Sequence, residues 1–236
     1  MKKLALPLLL LFCMTSCQEE SAVDIVNKSL EFHGGIQAWK SSEAISYQKE
    51  EWLYYDNDSL ESYTKRIYTH SLSNDLPIKM EWSSDSTTLY VENSEAGLNA
   101  NFELSDDEAK SYESALKAAP YTLCQPYKLL EDAADLKRLD DDKLEDTEVY
   151  TVAIDYVNED GSPGNSWRYY FNKETYRLEG AFVKHGETYA YVRNNEYDSK
   201  TGFSLNTVRT SYRVDSLRNI QYVRGRYKYQ YLNTDK

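Results

Sequence analysis

Segment 148–158, EVYTVAIDYVN, alternates large apolar side chains with polar or small ones along its whole length. Successive side chains of a strand point to opposite faces, so the apolar ones would share one side. After the turn-forming segment 159–164, segment 167–171, WRYYF, repeats the arrangement. The two segments predict an antiparallel hairpin with one continuous apolar side, here called the hairpin face. It consists of Tyr150, Val152, Ile154, Tyr156, Trp167, Tyr169 and Phe171.

The same period of two continues on both sides of this hairpin. The 22 tyrosines and 4 tryptophans also favour strands, in which aromatic residues are enriched. About ten strands exceed the usual ~5 to 6 per sheet, so the sheet must curl or close. The predicted fold is therefore mainly β, a strongly curved antiparallel sheet or half-open β-barrel. The other predicted strands are 45–54, 60–70, 78–82, 87–92, 98–104, 177–184, 188–197, 203–214 and 220–232.

Two segments depart from this pattern and predict helices that plug the curved sheet. Segment 22–33 has apolar residues at helical spacing, begins with a capping box and ends at Gly34. His33, at its end, is interpreted as a capping or packing residue. Segment 105–118 is a second such helix, ended by Pro120, and 125–132 and 135–139 predict short helices. The acidic segment 138–146 is interpreted as a solvated turn.

The N-terminal segment is typical of a lipoprotein signal. Two lysines precede the apolar run 4–12, which is shorter than the ~20 residues needed to span a bilayer. Thr15 and Ser16 before Cys17 resemble a bacterial lipobox, with Met14 where Leu is usual. We therefore expect residues 1–16 to be a signal peptide. Cys17 would carry a diacylglycerol and an N-acyl chain, 17–21 would form a tether, and 22–236 would form a single domain. The alternative is an ordinary secreted protein in which Cys17 is incidental.

Charge and cysteine content restrict the possible partners. Removal of residues 1–16 takes away two lysines and changes the formal charge from −12 to −14. Such an acidic chain would be repelled by nucleic acid and anionic headgroups, so membrane attachment would depend on the acyl chains. With Cys17 acylated, Cys124 has no partner for a disulfide. We expect the protein on the outer membrane, facing the periplasm or the cell surface.

Catalytic and metal-binding motifs are lacking in the sequence. There is no Gly-x-Ser-x-Gly, His-Glu-x-x-His, Cys-x-x-Cys or phosphate-binding glycine loop. The three histidines are far apart in the sequence, which does not favour a metal triad. We therefore expect no cofactor beyond the acyl chains of Cys17, and an enzyme is the least favoured class.

Three sequence blocks resemble a family of uncharacterised Gram-negative outer-membrane lipoproteins with a fold like that of the lipoprotein carriers LolA and LolB. The blocks are the Ile25-x-x-x-Ser29-x-x-x-His33-Gly34-Gly35 opening with Trp39, the Pro120-Tyr121 to Pro126-Tyr127-Lys128-Leu129 block, and segment 169–178. The resemblance implies a half-closed antiparallel barrel in which helices plug an apolar cavity that shelters acyl chains. The acyl-sensing arginine and cavity leucines of the carrier have no matching positions here.

The favoured hypothesis is a lipid-anchored protein that binds a lipid or another amphipathic ligand, lipoprotein acyl chains included, in the concave face of the sheet. A curved sheet cannot fill its own concavity with strand residues alone, and only two helical segments are available to fill it. If the helices cover the hairpin face only partly, as we expect, its residues line a ligand cavity. If the cover is complete, they are core residues. The alternative function is a surface module that binds protein or glycan through exposed tyrosines.

Overall fold

A computed structural model describes residues 19–72, 77–123, 125–130, 136–157 and 163–235. In these ranges the chain forms three α-helices and one twelve-stranded antiparallel sheet. The helices are α1 (Ala22–Phe32), α2 (Ile36–Ser41) and α3 (Asp106–Leu123). The strands are β1 (Ala44–Tyr54), β2 (Leu60–Ser71), β3 (Ile78–Ser84), β4 (Thr87–Ser94), β5 (Gly97–Ala100), β6 (Leu136–Leu144), β7 (Thr147–Val157), β8 (Pro163–Asn172), β9 (Leu178–His185), β10 (Thr188–Asp198), β11 (Leu205–Val214) and β12 (Ile220–Asp235).

The strand order is β5-β4-β3-β2-β1-β12-β11-β10-β9-β8-β7-β6. Consecutive strands pair with each other from β1 to β5 and from β6 to β12, and the pairing of β1 with β12 joins these two halves of the sheet. The sheet is curved but does not close, and β5 and β6 are its free edges. The predicted fold class, a mainly β half-open barrel with an N-terminal and a central helix, is confirmed.

Helix α1 forms where its capping box and apolar spacing predict it. The Ser21 side chain accepts a hydrogen bond from the Asp24 backbone N–H, and the Asp24 carboxylate accepts one from the Ser21 backbone. Ile25, Val26 and Leu30 are at most 1% exposed. Each such burial stabilises the fold by about 1.5–3 kcal/mol, so α1 is firmly packed on the sheet.

Both long helices lie on the same face of the sheet, its concave face. The larger core cluster joins Leu30, Trp39, Leu116 and Leu123 from the helices to residues of β1 to β4, β11 and β12. Trp39 stacks on Tyr127 with ring centroids 4.1 Å apart, so the large indole of α2 fills the centre of this core. A second cluster lies between α1 and strands β7 to β9. The third, around Val149, Tyr170 and Phe182, lies on the opposite face of the sheet.

Three local predictions were wrong. Segment 136–139, expected to be helical, and the acidic segment after it form edge strand β6, because pairing with β7 outweighs the poor strand propensity of aspartate. A bulge between Leu139 and Asp142 and the exposed acidic residues protect this edge from further pairing. Helix α3 continues through Pro120, since Pro120 and Leu123 are buried and Arg209 bonds the Thr122 carbonyl at 2.7 Å.

Candidate functional site

The structure brings all seven residues of the hairpin face together in one apolar cluster. Strands β7 and β8 pair in the register that places Tyr150 opposite Phe171 and Ile154 opposite Trp167. Ala22, Ile25 and Val26 of α1 pack against this face, joined by Leu129, Leu178 and Ala181. The period of two in segment 148–158 therefore predicted correctly which side chains share a face.

Burial varies along the hairpin face. Val152 and Phe171 are 0% exposed and Ile154 and Tyr169 are 3% exposed, so these four side chains are core residues under α1. Tyr150, Tyr156 and Trp167 are only half-buried. The cover is thus complete over the middle of the face and incomplete at its two ends.

A polar network closes the end of the face at Tyr150. The Tyr150 ring stacks on Tyr176 at 5.7 Å, and the Tyr176 hydroxyl donates to the Glu20 carboxylate at 3.0 Å. Lys28 of α1 donates to the Tyr176 hydroxyl at 3.1 Å and pairs with Glu20, which raises the pKa of Lys28. Burial also raises the pKa of the Tyr150 hydroxyl. This end therefore holds the start of the folded chain against the sheet through charged and hydroxyl groups.

The opposite end of the face, at Trp167, consists of aromatic rings. The Trp167 ring stacks on Tyr169 with centroids 5.6 Å apart and an interplanar angle of 6°. It also lies perpendicular to the His185 ring, with centroids 5.7 Å apart. Gln125 Nε2 lies 3.4 Å from the Tyr169 hydroxyl. A half-buried aromatic floor with a polar group at its margin is suited to an amphipathic molecule.

His33 fixes α1 over the hairpin face. Its Nδ1 bonds the Ser204 carbonyl, and its Nε2 accepts the Leu178 backbone N–H at 3.3 Å. The Tyr127 hydroxyl donates to the His33 carbonyl at 2.6 Å. Burial lowers the pKa of His33 to about 4, so the imidazole is neutral. The interpretation of His33 as a capping and packing residue is confirmed, although its neutral state and its link to β9 and β11 have no signal in the sequence.

The remaining sequence predictions for sites concern anchoring and metals. Cys17, the predicted lipidation site, and Cys124 lie outside the described residues. Within the described ranges, no helix is long and apolar enough to span a bilayer. In the same ranges, no three His, Cys, Asp or Glu side chains gather as metal ligands.

Comparison with known proteins shows similarity of structure without similarity of sequence. No protein-family model and no curated protein match the sequence. A LolA superfamily protein from Nitrosomonas europaea superposes with a TM-score of 0.56 at 11% identity, over 92% of this chain and 94% of that one. A DUF1329 family protein from Desulfovibrio piger superposes with a TM-score of 0.47 at 7% identity, over 92% and 93% of the two chains. The lipoprotein LppX of Mycobacterium tuberculosis superposes with a TM-score of 0.31 at 9% identity, over 91% of this chain and 95% of that one. The twelve-stranded unclosed sheet with its two covering helices is accordingly a LolA-like fold.

Proposed function

We propose that the protein binds a lipid or another amphipathic ligand, such as a lipoprotein acyl chain, on the concave face of its sheet. The observation that carries the proposal is the graded burial of the hairpin face. Its middle is sealed by α1, whereas Trp167 and Tyr156 remain half-buried at one end. The apolar part of a ligand would lie against these two rings and extend the cluster that begins at Tyr169.

The chemistry of this end favours an amphipathic ligand over a purely apolar one. Tyr156 and Trp167 have apolar ring bodies and one polar group each, and Gln125 lies beside the Tyr169 hydroxyl. Covering a surface with polar groups by a purely apolar molecule is unfavourable. A ligand with an apolar chain and a hydrogen-bonding head would satisfy both parts of the surface.

We further propose that Cys17 is acylated and attaches the protein to the outer membrane, with the folded domain in the periplasm or at the cell surface. The support is the basic and apolar leader followed by Thr15-Ser16-Cys17. The folded domain begins within a few residues of this cysteine, since Ser21 already caps α1. The tether is therefore short, and the domain would lie close to the membrane surface.

Binding of a fluorescent fatty-acid probe to delipidated protein tests the ligand proposal. Trp167→Ala removes most of the exposed apolar floor, and we expect it to weaken binding about ten-fold, since a large aromatic contact contributes roughly 1.5 kcal/mol or more. Trp52→Ala is the matched control. Trp52 is also half-buried, but it pairs with Tyr63 on the opposite face of the sheet and contacts that ring at 5.3 Å.

Two results would contradict the proposal. The first is an absence of probe binding by the delipidated wild-type protein. The second is an equal loss of affinity in the Trp167 and Trp52 variants, because the probe would then not distinguish the two faces of the sheet.

A second candidate function, a surface module that binds protein or glycan, is favoured by one observation. Tyr55, Leu60 and Tyr63 around the β1–β2 turn are 52%, 54% and 47% exposed, and Trp52 lies beside them. Tyrosine offers flat amphipathic area at low entropic cost. A glycan array or pull-down with a hit that disappears in Tyr63→Ala but persists in Trp167→Ala would favour this function over lipid binding.

A further inference from the structure

Strands β2 and β3 separate at one end and leave a cleft between them. They pair only from Ile67 to His70 of β2, opposite Glu81 to Ile78 of β3. Beyond this point, residues 60–66 of β2 pair with β1 alone, and residues 82–84 of β3 pair with β4 alone. A cavity of about 460 Å³ lies at the fork, and Lys65, Arg66, Glu81, Trp82 and Thr88 contribute to its walls.

Arg66 lies at this fork against aromatic rings. Its guanidinium carbon is 5.6 Å from the centroid of the Trp82 ring and 5.9 Å from that of Tyr112. Both distances are within the range of a cation–π contact. Trp82 and Tyr112 stack on each other at 5.6 Å, and Phe102 meets the edge of Trp82 at 5.7 Å. The guanidinium is therefore braced by a rigid aromatic cluster on the core face of the sheet, and Arg66 is also one of the residues that line the cavity.

The hydrogen-bonding capacity of Arg66 is largely unused. Its one hydrogen bond within the described part of the chain goes to the sulfur of Met80, at 3.4 Å, and sulfur is a weak acceptor. A guanidinium has five N–H donors in a planar fork that matches a carboxylate or a phosphate. Most of these donors therefore have no acceptor among the described residues.

The neighbouring charges are already paired. Glu81 forms an ion pair with Lys79 at 2.9 Å, and Lys65 forms one with Glu50 at 3.6 Å. Arg66 makes no ion pair with any carboxylate of the described ranges. In a chain with a formal charge of −12, this cavity therefore contains a cation that no neighbouring carboxylate neutralises.

We propose that the β2–β3 fork binds the carboxylate or phosphate group of an anionic amphiphile. Arg66 would hold the anion, and Trp82, which lies on the same face of the sheet and also lines the cavity, would contact the apolar part next to it. The site lies on strands β2 and β3, apart from the β7–β8 hairpin face. The inference therefore does not depend on ligand binding at Trp167.

Isothermal titration of the full chain with three probes tests this proposal and separates the possible sources of the anion. The probes are dodecyl phosphate below its critical micelle concentration, dodecyl maltoside as the uncharged equivalent, and inorganic phosphate. We expect the wild-type protein to bind dodecyl phosphate more tightly than dodecyl maltoside. Competition by inorganic phosphate at millimolar concentration would show that the anion alone suffices, and a lack of competition would assign the site to amphiphiles with an anionic head.

Arg66→Gln should weaken dodecyl phosphate binding at least about ten-fold, the usual loss for a charge-assisted hydrogen bond, and leave dodecyl maltoside unaffected. Arg226→Gln is the matched control, because the Arg226 guanidinium also lies over a ring, at 5.8 Å from Tyr54, but does not line this cavity. Thr88→Glu places a carboxylate at the exposed rim without touching the core, and it should also weaken phosphate binding several-fold. Unchanged dodecyl phosphate affinity in Arg66→Gln and Thr88→Glu, or an equal loss in Arg226→Gln, would overturn the proposal.

Discussion

Mild acid should destabilise the fold through two buried histidines. The pKa of His33 is lowered from 6.5 to about 4, and that of His70 from 6.5 to about 3, in both cases by burial. Their contribution to stability is fully present above pH 6.5, falls as the unfolded state takes up protons below that pH, and is lost completely only below the folded pKa. Linkage gives a loss of about 2 kcal/mol per histidine at pH 5 relative to pH 7.5.

The structure gives a physical reason for each neutral imidazole. The Nε2 atom of His33 accepts the Leu178 backbone N–H, so a proton on that nitrogen would place two donors against each other. His70 is 1% exposed and bonds the Tyr47 hydroxyl at 3.0 Å. Together the two residues predict a loss of about 4 kcal/mol, a large part of the roughly 5–15 kcal/mol that holds a typical domain folded.

Urea unfolding followed by tryptophan fluorescence at pH 7.5, 6.5, 5.5 and 5.0 measures this dependence. His33→Gln and His70→Gln should each show about 2 kcal/mol less stability loss over this range than the wild-type protein, because glutamine does not titrate. His185→Gln is the control, since His185 is exposed at the end of β9 and should change the profile much less. The reasoning would be refuted if the free energy of unfolding fell with pH equally in the wild-type protein and in His33→Gln. The carboxylates also titrate toward acid pH, but they are common to all variants and cancel in the difference.

Three further predictions concern packing and anchoring. Tyr169→Ala should lower the free energy of unfolding by about 3–5 kcal/mol, since Tyr169 is 3% exposed, and a loss below 1 kcal/mol would contradict its assignment to the core. Gly180→Ala should lower the free energy of unfolding by about 2 kcal/mol or more, because an added Cβ would lie 2.3 Å from the Val192 carbonyl oxygen. Gly186→Ala is the control: its Cβ would have no atom within 4 Å, so only its positive φ should cost stability, about 1 kcal/mol. Cys17→Ala should release the protein from the membrane fraction, and persistence in the pellet through a carbonate wash would show that the anchor lies elsewhere.

The features that the sequence predicted well are those encoded locally. The alternation of segment 148–158 reports which side chains share a face, whatever the rest of the chain does. The Ser21–Asp24 capping box likewise marks the start of α1 without any tertiary information. Both predictions needed only a few consecutive residues.

The features that were mispredicted depend on distant partners. Strand β6 has three consecutive aspartates that disfavour a strand locally, but in the folded protein Lys173 pairs with Asp141 and Arg218 pairs with Asp142. The continuation of α3 past Pro120 depends on Arg209, 87 residues away from the carbonyl that it bonds. The strand fork at Arg66 has no sequence signal, because it arises from where pairing between β2 and β3 stops.

The degree of cover over the hairpin face also could not be read from the sequence. The composition of α1 shows that it has an apolar side, but not how far along the hairpin that side extends. In the structure Ala22, Ile25 and Val26 pack against the cluster that contains Val152 and Phe171, while Trp167 stays half-buried. The cover thus depends on the position of α1, which His33 fixes through Leu178 of β9 and Ser204 just before β11.

Similarity of fold at 11% identity also limits what can be transferred between these proteins. A curved antiparallel sheet requires alternating side chains and short turns, and many sequences satisfy that requirement, so the fold persists while the side chains on its concave face change. In this chain the half-buried positions of the hairpin face are Tyr150, Tyr156 and Trp167, each with a polar atom on an apolar ring. Aliphatic side chains at these positions would present apolar surface alone, whereas these three combine an apolar ring with a polar atom. The chemistry of this face therefore follows from these residues and not from the fold.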